Sequence, residues 1–375
     1  MDGELGDPGV IKFSNRFTLG RRGFLGSAAA AALAGRAATA NAATKLSFLG
    51  WQGYDSFLEG GNFDQTSGMS LQKSYIDNAD EIITKLRLTS GGIDICTPYF
   101  IHDHFLADER LIQPIDLSKV PNFKNVSPAI ISMCQKNMAE AATWYAMPMT
   151  YGSNCMVYNS DLAAAPTSWT DLMKPEYKGK AAITTDFEGN IYFAAKCLGI
   201  ENPNYMTRPQ LKSSIDFLIN LKKNHLRTIA ASYGDLVNLL SAKEVVISQG
   251  WEPVADWVGT AAPVKIVYPK ETCMGFIEGY AIGRHSQNVD AAHAYINNAL
   301  SVPGQLAGAV ANSMPCTVTQ AMMQAPAHNK TMYGYDQLPV YFSKVLTMKM
   351  YPLTDDGVHA TWDEYLEGWQ TVMKA

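Results

Sequence analysis

The sequence has little charge and few of the motifs that announce covalent chemistry. Asp, Glu, Lys and Arg make up only 17% of its 375 residues, and the balance is acidic, with a formal net charge of −5. Such a chain lacks the basic surface that nucleic acid or anionic lipid would need. No GxSxG elbow, HExxH helix or GxGxxG turn occurs, and the seven histidines are scattered. A serine nucleophile, a zinc-activated water and a dinucleotide fingerprint are therefore all unspelled. The six cysteines, at 96, 134, 155, 197, 273 and 316, follow no CxxC spacing, which argues against a zinc ribbon or a redox pair and makes most of them small buried apolar residues. Long apolar runs are missing as well, for no segment reaches the roughly twenty apolar residues of a membrane helix.

What is present begins with an export signature. Arg21 and Arg22 precede Gly23, Phe24 and Leu25, then an alanine-rich run over 26–34 free of acid, then Ala40-Asn41-Ala42 as a small-x-small cleavage pattern. This order predicts a twin-arginine export signal over residues 1–42, with a mature start near Ala43. No cysteine follows the run, so a lipid anchor is not expected, and the predicted product is a soluble periplasmic monomer. Removing the leader's +2 takes the net charge to −7, an acidic balance that favours approach of a cationic solute.

About 330 residues remain, enough for two lobes at roughly 100 to 200 residues each. Short β-rich stretches alternate with helical periodicity, the pattern of an α/β fold. Strands are predicted at 45–50, 93–96, 181–185 and 244–248, and helices at 79–88, 102–109, 210–223, 290–300 and 361–373. In open α/β sheets ligands collect beyond the carboxyl ends of strands, which singles out residues 51–54, 98–100, 186–189 and 248–252. The tryptophans of the last helix, Trp362 and Trp369, read as packing.

Three elements carry a resemblance. Residues 167–180, TSWTDLMKPEYKGK, lead into a strand; residues 267–271 read VYPKE; and Tyr145-Ala146-Met147-Pro148 is followed by Tyr151-Gly152. Together and in this order they resemble the extracellular spermidine/putrescine-binding proteins of ABC importers, from about Lys45 to the C-terminus. The resemblance implies a two-lobed periplasmic-binding-protein fold of type II. Lobe one is expected at 44–150 plus 276–322 and lobe two at 151–275 plus 323–375, joined by hinge strands and closing over ligand. It also implies a small cationic amine as ligand, an ABC importer permease as partner, no cofactor and no enzymatic activity. It further brings Cys273 and Cys316 near the cleft, where a disulfide between them is expected.

A polyamine site needs carboxylates for the ammonium groups and aromatic faces between them. The resemblance places Trp51 and Tyr54 against the ligand, with Trp51 as strand-capping core the alternative. Asp186 matches an amine-binding aspartate but equally suits a helix N-cap. Glu188 stands near Gly189, which occupies a second acidic position, and solvent exposure is its plainer reading. Glu278 matches an acidic position on a predicted strand, where a partnerless buried acid would be costly. Phe276 replaces a tryptophan, Trp251 and Glu252 follow a strand end, and Tyr99 and Tyr151 complete the candidate set. Gly53, Tyr99 and Met314 depart from the spermidine-type pattern, so a shorter diamine, an aromatic amine or a quaternary ammonium compound would also suit such a cage.

Other carriers of this fold are disfavoured. No adjacent tyrosines occur, as a ferric-ion carrier would have, and Arg208, Arg227 and Arg284, the only arginines after Arg110, fall outside the predicted cleft loops. A secreted hydrolase is the competing class. His102 and His104, flanking Asp103 on a predicted surface helix, do not share a helical face and read as solvated.

Overall fold

A computed structural model describes residues 44–89, 92–137, 143–347 and 349–375. Ala43–Ala375 forms one compact unit. The predicted export signal lies outside the described residues. Among the described residues eleven strands form the sheet: β1 (Thr44–Trp51), β2 (Met69–Ile76), β3 (Ile95–Cys96), β4 (Ile112–Gln113), β5 (Ala146–Asn159), β6 (Ala181–Thr184), β7 (Leu226–Ala230), β8 (Ile247–Trp251), β9 (Val264–Val267), β10 (Cys273–Gly283) and β11 (Val345–Thr347). Their order is β2-β1-β3-β10-β5-β8-β6-β7, with β4 and β11 on β10 and β9 on β5.

This order divides into two parallel flanks held by an antiparallel centre. β1 runs parallel to β2 and β3 on one side, and β6 parallel to β7 and β8 on the other. Between them β10 and β5 pair antiparallel. All residues of β5 and β10 are buried, the polar Thr150, Ser153, Asn154 and Glu278 among them. At about 3.3 Å per residue the fourteen residues of β5 reach roughly 45 Å, long enough to serve both flanks. Three antiparallel pairings, β3–β10, β10–β5 and β5–β8, make the two flanks run in opposite directions, so the carboxyl end of β1 faces those of β6 and β8, and Trp51, Asp186 and Trp251 come to one region.

The helices that flank the sheet follow the sequence signals closely. Arg208–Asn224 opens with a Thr207/Gln210 capping box and a proline in its first turn, and Trp362–Lys374 with a Thr361/Glu364 box. In each, two orphan donors of the first turn are satisfied reciprocally. Trp362 and Trp369 are buried, as packing requires.

Three expectations need correction. The strand predicted at 244–248 runs instead over Ile247–Trp251, because pairing with β5 continues to Asn154 opposite Trp251; Trp251 is thus its last residue. The helix after Tyr99 forms, but it is no surface feature: His102 and Asp103 are each only 1% exposed. His102 ends a short 3₁₀ turn (Phe100–His102) and packs between the rings of Tyr99 and Trp362. Lastly, all six cysteines are free thiols. The Cys316 sulfur is directed at the Gln305 carbonyl, 3.6 Å away, whereas Cys273 has Cys155 and Glu252 for neighbours, so the expected Cys273–Cys316 bridge is not made.

Candidate functional site

Glu278 lies on β10, directly at an irregularity in the ladder. Glu278 pairs with Thr150, yet the next residue, Gly279, pairs with Pro148. Proline has no N–H to give the ladder, and a bulge re-aims the side chains beside it. The carboxylate that results is 1% exposed. It accepts a hydrogen bond from the Tyr54 hydroxyl and a further one from Trp51. Burial pushes its pKa well above the usual carboxylate range. The Tyr54 and Trp51 bonds oppose that shift, and the negative charge of Asp186 adds to it.

Tyr54 follows β1 in the turn that opens the helix Asp55–Glu59. Its own carbonyl accepts from the Tyr280 hydroxyl at 2.6 Å, which holds the turn on β10. Tyr99 bridges to Glu278 through the backbone, and its ring stacks on Phe276 at 5.6 Å between centroids. Trp251 touches Phe276 at 6.2 Å, Tyr233 at 5.7 Å and Tyr54 at 6.3 Å. Room for these rings comes from Gly152 on β5. A Cβ there would stand 2.7 Å from both Phe276 Cζ and Trp251 Nε1.

Of the two readings offered for Asp186, the structure shows the helix N-cap. It is the N-cap of the helix Phe187–Cys197, accepting from the Gly189 N–H at 3.4 Å. It is also buried, and Asn154 Nδ2 donates to its other oxygen at 2.7 Å and to the Tyr233 hydroxyl at 3.2 Å. Burial, with the Glu188 charge next, pushes its pKa up to about 6. Glu188 is fully buried, so the solvent-exposed alternative is overturned. His102 Nε2 stands 3.4 Å from its Oε1. Gly189 itself has no space for a side chain, since a Cβ would meet Asn154 Cγ at 2.8 Å.

Two candidates are not part of this group. Side chains alternate along a strand, and on β5 Gly152 and Asn154 face the site, so Tyr151 and Ser153 face away. Tyr151 packs on Tyr333, Tyr341 and Phe342 behind the sheet. Glu252, one residue past Trp251, shares that far side. It accepts from the Ser153 N–H and hydroxyl at 3.1 and 2.6 Å, from Tyr341 at 2.9 Å and from Tyr268 at 3.3 Å. Burial raises its pKa as well, but its lone pairs are already engaged.

Sequence reasoning missed Tyr233, Asn154 and His102. Tyr233 opens the helix Tyr233–Ser241, which Ser232 caps just after β7. The strand-end criterion that selected Asp186 would have found it had residues 226–230 been read as a strand. His102 carried no signal, because its burial depends on Trp362, 260 positions away in the chain.

The cluster thus gathers three buried carboxylates, those of Glu278, Asp186 and Glu188, beside six rings, Trp51, Tyr54, Tyr99, Tyr233, Trp251 and Phe276. No lysine or arginine forms an ion pair with any of the three among the described residues. Buried negative charge without a resident cation is costly, and aromatic faces attract cations; chemically the arrangement suits a positively charged guest. No group of three or more histidine, cysteine or carboxylate side chains is placed to hold a metal among the described residues.

Comparison with known proteins agrees with this fold. The family model described as bacterial extracellular solute-binding protein matches residues 62–331. The spermidine/putrescine-binding periplasmic protein of Escherichia coli K12 is 28% identical over 319 residues, covering 82% of this chain and 88% of its own. Among solved structures, the spermidine/putrescine ABC transporter substrate-binding protein PotD of Streptococcus pneumoniae superposes with a TM-score of 0.68 at 22% identity, covering 88% of this chain and 99% of its own. The binding protein MotA of Agrobacterium tumefaciens B6, solved with glucopine, gives 0.68 at 14% identity over the same shares. The likeness in structure establishes the two-lobed α/β fold.

Proposed function

The chain belongs to the bacterial extracellular solute-binding protein family, and from that footing we propose that it captures a small organic amine in its cationic form and passes it to an ABC importer. Polyamines such as putrescine and spermidine are the first candidates, in keeping with what the Escherichia coli relative is named for. The observation that carries the reading is Glu278, a buried carboxylate among aromatic rings with no basic side chain paired to it among the described residues. A charge-assisted hydrogen bond contributes about 1.5–3 kcal/mol and a desolvated cation–π contact about 2 kcal/mol. One carboxylate and two rings therefore support dissociation constants of roughly 10–100 μM.

In this reading Trp51, Tyr54, Tyr99, Asp186, Glu188, Trp251, Phe276 and Glu278 surround the ligand, and Tyr151 and Glu252 support the crossing strands from behind. Lobes at 44–150 plus 276–322 and 151–275 plus 323–375 turn about β5 and β10. Ligand contacts made by both lobes at once favour the closed form, and the importer recognises that form. The chain is exported by the twin-arginine route to the periplasm, acts as a monomer, uses no cofactor and performs no catalysis.

The test is calorimetry with putrescine, cadaverine, spermidine, choline, betaines and amino acids on the wild-type chain and on Glu278→Gln. Loss of one charge-assisted bond predicts a roughly 10- to 150-fold weaker amine. Equal affinity in the variant would remove Glu278 from the site, and binding of acids in place of amines would end the reading.

A further inference from the structure

Among the described residues, one basic side chain stands within ion-pairing distance of the three buried carboxylates: His102, whose Nε2 lies 3.4 Å from Glu188 Oε1. The two come from separate segments, His102 from the 3₁₀ turn after β3 and Glu188 from the first turn of Phe187–Cys197. Trp362 fastens them, its ring 5.1 Å from that of His102 and 5.1 Å from that of Phe187. Tyr99 covers the imidazole at 5.7 Å, and Tyr351 packs on Trp362 at 5.1 Å. Neither side chain of the pair reaches water. His102 Nε2 and both Glu188 oxygens also lack a hydrogen-bond partner among the described residues. The carboxyls of Asp80 and Asp186 and the Tyr99 and Tyr351 hydroxyls face Glu188. Asp80 and Asp103 face His102, but neither comes within ion-pairing distance of it.

A buried carboxylate and an imidazole this close suit each other when the imidazole holds the proton, because each charge then offsets the desolvation of the other. Ionised Glu278, Asp186 and Glu188 supply three negative charges, protonated His102 cancels one, and two remain for a guest. Asp186 and Glu278 can share that guest, since both face Tyr99 and Tyr233. Resting on the amine reading above, we infer that His102 sets the charge of the preferred polyamine. Protonated, it occupies Glu188 and leaves Asp186 and Glu278 for the two ammonium groups of a diamine; neutral, it frees Glu188 for the third ammonium of a triamine. Imidazole is the side chain that ordinarily changes charge between about pH 5 and pH 8, so the preference shifts with pH. His102 works through Glu188 and is a positioning residue.

Putrescine and spermidine, titrated calorimetrically at about pH 5.5 and about pH 7.5, separate the possibilities. In the wild-type chain the affinity for spermidine relative to putrescine should rise at least fivefold from the lower pH to the higher. Titration of Asp186 and Glu278 cancels in this ratio, because both ligands use those carboxylates. His102→Gln, which leaves Glu188 without its cation, should hold the ratio at the higher value at both pH values. Glu188→Gln, which removes the third acid, should hold it at the lower value at both. A wild-type ratio that is flat or falls with pH, or a variant that keeps the wild-type pH dependence or locks at the opposite value, would overturn this inference and leave the amine reading standing. Failure of both amines to bind would remove the amine reading and this inference with it. If either variant fails to fold, the wild-type pH series alone decides the matter.

Discussion

Replacing Asp186 by asparagine isolates the energetic cost of holding an acid ready in a dry site. In the folded chain burial raises this carboxyl from its ordinary value near 3.8 to about 6. Between those values the native state keeps a proton that the unfolded chain has released, so stability falls as pH rises through the interval. A shift of about two units at roughly 1.4 kcal/mol each amounts to a loss of about 3 kcal/mol between pH 4 and pH 7. Asparagine caps a helix about as well as aspartate, so the bond from the Gly189 N–H can persist. Any mismatch with Asn154 costs the same at every pH. Urea unfolding followed by tryptophan fluorescence should then show wild type losing about 3 kcal/mol relative to Asp186→Asn across this range. Titrating groups uncoupled from Asp186, such as Asp103, whose pKa burial raises to about 7, cancel in the difference. A saturating cationic ligand should abolish the loss, since it stabilises the ionised form and expels the proton. A wild-type-minus-variant difference that stays flat within about 0.5 kcal/mol, less than one fifth of the expected change, would refute the argument.

Further outcomes follow from the two faces of β5. Tyr151→Phe removes a buried hydroxyl that has no partner and should leave stability unchanged or raise it by about 1 kcal/mol, with ligand affinity unaltered; weakened binding in calorimetry would return Tyr151 to the site. Gly152→Ala forces a methyl group into Phe276 and Trp251 and should cost about 1–3 kcal/mol by denaturant titration, together with at least a tenfold loss of ligand affinity; binding at wild-type strength would show that these rings do not touch the ligand. Thiol titration of the denatured chain should count all six cysteines with or without reductant; a count of four without reductant would restore a disulfide.

Local elements were legible because each carries its own signal. The helices at 208–224, 289–299 and 362–374 announced themselves by period, and β1, β3 and β6 by short β-rich runs followed by glycine, proline or aspartate, whereas the central strands β5 and β10 were reached through the family resemblance. Glu278 could be singled out because an acid between apolar neighbours and glycines has no cheap explanation in packing. The failures have a common cause. Tyr151 and Glu252 each sit one residue from a position on the cluster's face, Gly152 and Trp251, and a shift of one residue exchanges the faces of a strand. Proximity in sequence to a strand end could not settle which face they take.

The amino-acid sequence by itself determined the α/β architecture and the presence of an acid worth suspecting, and its ordered motifs at 145–152, 167–180 and 267–271 pointed to the family. The architecture depends on short-range periodicity, which the chain displays wherever it is read, and the family on short runs of particular residues in a fixed order. Only the tertiary structure decided that Glu188 is buried against His102, that Trp362 packs on that histidine, and that Tyr233 comes to stand beside the carboxylates. Burial and pocket shape arise when segments far apart in the chain exclude water together, and no single segment carries that information.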